Sequence, residues 1–140
     1  MIIIKQIKIK LYLNDNIIDM DKNTLSDFIY KNTFYMNFID MDFTFRKEDF
    51  KIFINEINEL SEKYIHNNRI DSDFVSFLLD IESQLLMGIY EDKNKHKFIG
   101  ISNEDGYQLI YDFIFFLIDF VSGKRTFEDF TNYIYEEYDI

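Results

Sequence analysis

From Ile7 to Leu13 the chain alternates: Ile7, Ile9, Leu11 and Leu13 fall on one side, with Lys8, Lys10 and Tyr12 on the other. That period predicts a half-buried strand, ended by Asn14-Asp15-Asn16. Residues 17–32 carry no clear period. A second alternation follows, with Tyr35, Ile39, Met41, Phe43 and Phe45 on one side. Asp40, Asp42 and Thr44 share the other with Phe34, Met36 and Phe38. Two partly apolar faces predict a central strand. Helical spacing then takes over: Phe50, Phe53, Ile54, Ile57, Leu60 and Tyr64 recur every three or four residues. Glu48 and Asp49 would sit in the first turn of that helix, where its dipole favours negative charge, and Asn67-Asn68 would close it.

Residues 72–91 fit two templates. Phe74, Phe77, Leu78, Ile81 and Leu85 would line a helix, while Val75, Phe77, Leu79 and Ile81 would line a strand. Gly88 and the turn-like Asp92-Lys93-Asn94-Lys95 favour a hairpin, with Gln84–Glu91 paired to His96–Ser102. Ser102 is placed to cap a following helix that carries Glu104 and Asp105 in its first turn and stops at Gly123. This helix is apolar nearly all round, so it should lie buried between a sheet and another element. Thr126 and Asp129 form a capping-box pattern ahead of a last helix with Phe127, Phe130, Ile134 and Tyr138 on one face. The expected fold is α+β, with residues 1–140 as a single domain. Its antiparallel sheet would carry one amphipathic helix after the early strands and two C-terminal helices packed on it.

Composition changes this picture little. The chain has 140 residues, enough to bury about two-thirds of its unfolded surface. It lacks Ala, Pro, Cys and Trp and is rich in Ile, Asn, Lys, Phe and Tyr, the residues an A+T-rich genome encodes most often. The aromatic richness is therefore weak evidence for any function. Without cysteine there is no disulfide framework, thiolate zinc site or cysteine nucleophile. Met1–Leu13 is interrupted by Lys5, Lys8 and Lys10, unlike the apolar core of a signal peptide. The stretch Tyr107–Val121 is too short to span a bilayer and contains Asp112 and Asp119. A cytoplasmic chain is expected.

Charge matters more. The formal net charge is −11, and residues 71–140 carry fifteen Asp/Glu against five Lys/Arg. Such a half repels nucleic acid and anionic membranes and steers basic proteins toward itself. Candidate partner-binding positions are Asp71 and Asp73, Glu91 and Asp92, Glu104 and Asp105, and the C-terminal group Tyr135, Glu136, Glu137, Tyr138 and Asp139. Tyrosine is a preferred hot-spot residue, and the carboxylates would pair with Lys and Arg across an interface. A solvated helix face with Tyr138 in the core is the plainer alternative.

Catalytic chemistry finds little support. His66 and His96 have no second histidine at ligand spacing, and both are expected at the surface. Asp19 and Asp21 lack the glycine and distal glutamate of a calcium loop. The four glycines do not cluster, the serines lack a nucleophile-elbow context, and three arginines offer little for phosphate. Asp40 and Asp42 would share a strand face, as in a small metal-dependent hydrolase, which is the least favoured alternative. No catalytic residue, metal or cofactor is expected.

In size, acidity and order of elements the chain resembles the small bacterial immunity proteins of contact-dependent and polymorphic toxin systems. The resemblance implies a non-catalytic protein that inhibits a cognate toxin of nuclease type, and it carries no residue roles. An acidic phage-type inhibitor of the anti-CRISPR kind, which mimics nucleic acid, is the alternative binding protein.

Overall fold

The computed structural model describes residues 25–29, 31–41, 43–90 and 95–140. The chain falls into two compact units, Met1–Asn32 and Thr33–Ile140. In the first, residues 25–29 are helical, and the strand expected at Ile7–Leu13 lies outside the described residues. All labelled elements belong to the second.

The second unit begins with a short helix α1 (Thr33–Tyr35) that continues as a π-helical stretch, Met36–Met41. After strand β1 (Thr44–Arg46) comes helix α2 (Lys47–Tyr64). A small hairpin, β2 (Ile65–His66) and β3 (Arg69–Ile70), leads to helix α3 (Ser72–Tyr90). Strand β4 (Lys97–Ile99) precedes the last two helices, α4 (Asn103–Val121) and α5 (Phe127–Tyr138). Among the described residues the fold is mostly helical, with two-stranded pairings and no larger sheet. The expected α+β domain built on an antiparallel sheet is therefore wrong.

Two segments account for the error. The stretch read as a central strand is helical as far as Met41. Phe34 and Phe38, one helical turn apart, are both buried. The hairpin expected over Gln84–Ser102 is instead the second half of α3 followed by β4. In α3 the buried set is Phe74, Phe77, Leu78, Ile81, Leu85, Gly88 and Ile89, a 3.6-residue stripe, whereas Leu79 of the strand reading is 46% exposed. Asp71 starts this helix. Its Oδ1 accepts from the Asp73 amide at 2.9 Å, and its carbonyl accepts from Phe74 and Val75.

Most other expectations for the elements hold. In α2 every residue of the expected stripe is buried, with Glu48 and Asp49 in the first turn. Asn67-Asn68 does not close the helix, which ends at Tyr64; both residues adopt positive φ, 53° and 64°, as the two-residue turn of the β2–β3 hairpin requires and asparagine tolerates. Ser102 Oγ accepts from the Asp105 amide at 3.1 Å. Thr126 and Asp129 form the full capping box, at 3.1 and 3.0 Å.

Phenylalanines tie the helices together. Phe34 meets Phe45 edge-on at 5.2 Å and Phe50 at 5.1 Å. Phe50 meets Phe113 of α4 at 5.7 Å, and Phe116 stacks on Phe130 of α5 at 4.5 Å. Ring pairs at these spacings contribute about 0.5–1.5 kcal/mol each beyond their burial. β1 and β4 pair in parallel, Thr44 with Lys97, Phe45 with Phe98 and Arg46 with Ile99. The pairing seats the Phe98 ring on Gly106 in the first turn of α4, where a Cβ would overlap it.

Candidate partner-binding surface

The helices α3 to α5 carry most of the acidic half, and their caps decide which carboxylates are free. Asp71 is committed to capping α3, and Asp73 is half-buried in the first turn. Glu91 and Asp92 lie outside the described residues. Glu104 and Asp105 are exposed at the start of α4, while Glu136 and Glu137 are exposed near the end of α5. Asp139 is also exposed and forms the left-handed cap of α5 at φ 57°. The proposed positions are thus spread over three helices rather than gathered at one point.

The two tyrosines separate. Tyr135 is 64% exposed. Tyr138 turns inward and donates from its hydroxyl to Asp112 Oδ2 at 2.5 Å. Tyr133 donates to the same oxygen at 2.9 Å, and Gln108 Nε2 donates to Oδ1 at 2.9 Å. Asp112 therefore ties α4 to the end of α5, a role that its position within an apolar run did not reveal. Desolvation, followed by the hydrogen bond to Asp112, holds both tyrosine hydroxyls above their usual pKa, Tyr138 strongly so. Two turns further along α4, Asp119 lies 3.8 Å from Arg125, whose guanidinium sits over the Phe116, Phe130 and Tyr133 rings.

α4 itself departs from expectation. It packs on α3 and α5 and touches β4, yet one face stays open. Phe115 is 63% exposed and Ile118 is 50% exposed, with half-buried Tyr111 one turn before them. Asp112 and Asp119, at positions −3 and +4 from Phe115, were the available sign that this face points outward.

His96, expected at the surface, is buried. Its Nε2 donates to the Gly88 carbonyl at 2.7 Å, and its Nδ1 faces the Tyr107 hydroxyl at 2.5 Å. A carbonyl can only accept, so Nε2 carries a proton, and Nδ1 shares a hydrogen bond with the Tyr107 hydroxyl. This is a bolt between α3, β4 and α4. His66 is exposed, as expected. The strand that was to align Asp40 with Asp42 is replaced by π-helical backbone at Asp40, and Asp42 lies outside the described residues. Among the described residues no three His, Cys, Asp or Glu side chains gather in a metal-binding arrangement. No helix among them is long and apolar enough to cross a membrane.

No family model, curated protein or solved structure was found to match the chain.

Proposed function

We propose that this chain is a non-catalytic binding protein whose acidic surface neutralises a basic protein partner, as a cytoplasmic bacterial immunity protein does with a nuclease-type toxin. The observation that supports it most is the charge of residues 71–140, fifteen Asp/Glu against five Lys/Arg. Much of that charge faces solvent on the helices α4 and α5. A basic partner would associate rapidly with such a surface, and salt would slow it by screening over about 8–10 Å. Affinity capture from the source cells identifies the partner, and growth rescue on co-expression tests inhibition. Charge reversal at Asp71/Asp73, Glu91/Asp92, Glu104/Asp105 and Glu136/Glu137/Asp139, one cluster at a time, then maps the contact. The proposal fails if the captured partner is not basic, if co-expression gives no rescue, or if all four reversals leave association unchanged.

A further inference from the structure

We infer that the outward face of α4, with Phe115 and Ile118 at its centre, is a docking surface for a basic protein segment that carries apolar side chains between its lysines and arginines. The inference rests on the proposed function and gives that binding a location. Tyr111, Phe115 and Ile118 follow one another at helical spacing, so they form a stripe about 10 Å long on a single face. A soluble helix normally turns such residues inward, yet here the core face is already filled by Leu109, Phe113, Phe116 and Phe120.

The edge of the stripe is acidic. Asp112 and Asp119 flank Phe115; Asp112 reaches Tyr133 and Tyr138 on α5, and Asp119 meets Arg125 in the loop before it. Glu137 stands one turn beyond Tyr133 on α5 and acts electrostatically on its hydroxyl. Glu104 is exposed two turns before Tyr111 on the same face of α4. An apolar centre with a carboxylate rim is the complement of a basic amphipathic segment. The same rim selects against other occupants. A second copy would bring like charges together across a chain of net charge −11, and an anionic lipid surface would be repelled in the same way.

The test uses the full chain with a short synthetic helical peptide of leucine and lysine, its lysines on one face. A peptide of the same composition, scrambled so that no face forms, is the control. The amphipathic peptide should bind, and Phe115→Ala/Ile118→Ala should weaken it at least about tenfold. Leu79→Ala/Met87→Ala, exposed positions on α3, should leave affinity unchanged. Glu137→Lys should slow association and flatten its salt dependence. Thermal unfolding checks that each variant is folded. Equal binding of the scrambled peptide, or undiminished binding by the α4 double variant, overturns the docking surface but leaves the proposed function standing. Failure of the peptide to bind, while a captured basic partner binds, has the same meaning, whereas failure of both removes the two together. Binding to phosphatidylserine vesicles that the double variant loses would assign the face to a membrane and overturn the inference.

Discussion

Gly106→Ala sets two effects against each other. Alanine is favoured over glycine in a helix interior by about 1 kcal/mol, so on propensity alone the change in α4 should stabilise. Packing opposes it. The added Cβ would overlap the Phe98 ring, with Cγ at 3.0 Å and the near edge closer still. The ring is held at 5.4 Å by Phe45 and at 4.8 Å by Tyr107. Displacing it forfeits two aromatic pairs, about 1–3 kcal/mol together, and overpacking strain adds about 1–3 kcal/mol. The expected outcome is a net destabilisation of about 1–5 kcal/mol, read as a lower urea midpoint with an unchanged slope. Phe98→Leu should recover part of the loss in the Gly106→Ala background, although it costs stability alone. A Gly106→Ala protein more stable than the parent would refute the seating of Phe98 on this turn.

The Asp112 contact gives a second prediction. Asp112→Ala should cost about 2–4 kcal/mol, because two tyrosine hydroxyls lose a charged acceptor, and Tyr138→Phe should cost less, both measured by chemical denaturation. The same tyrosines make alkali destabilising. Their raised folded-state pKa values contribute stability that is present below the unfolded tyrosine value of about 10 and lost as pH rises further, and a Tyr133→Phe/Tyr138→Phe protein should lose less on the same titration. Thr126→Ala removes the α5 capping box and should cost about 1 kcal/mol by thermal unfolding. His96→Leu preserves bulk but leaves the buried Gly88 carbonyl and the Tyr107 hydroxyl without their ring partner, and a loss of about 2–4 kcal/mol is expected in urea.

Where capping chemistry and a single clean stripe coincide, the elements were legible in the sequence. The buried stripe of α2, the Ser102 cap of α4 and both the capping box and the buried face of α5 are of this kind. Misreading arose where apolar residues were too dense to define one period. In α3, Phe77 and Ile81 fit both templates while Leu78 fits only the helix and Leu79 only the strand, and Gly88 read as a turn signal although it lies on the buried face. Between Thr33 and Met41 the aromatic residues alternate by chance while the chain coils. The site was less legible still, since its features depend on distant partners. Lysines on either side of His96 conceal a ring locked to α3 and α4. Nothing local to Asp112 announces two tyrosines from the last helix.

The parallel pairing of β1 with β4 joins positions about fifty residues apart, with α2, the hairpin and α3 lying between them. Helices form within about a microsecond, whereas a closure of that length waits until the intervening chain has become compact. The ladder and the Phe98 seat should therefore be among the last contacts made, absent from the folding transition state. Weakening them should leave the rate of folding nearly unchanged and appear almost wholly as faster unfolding. Where cleavage outpaces reclosing, the lifetime of the folded protein against proteases then depends directly on a strand pair of three residues.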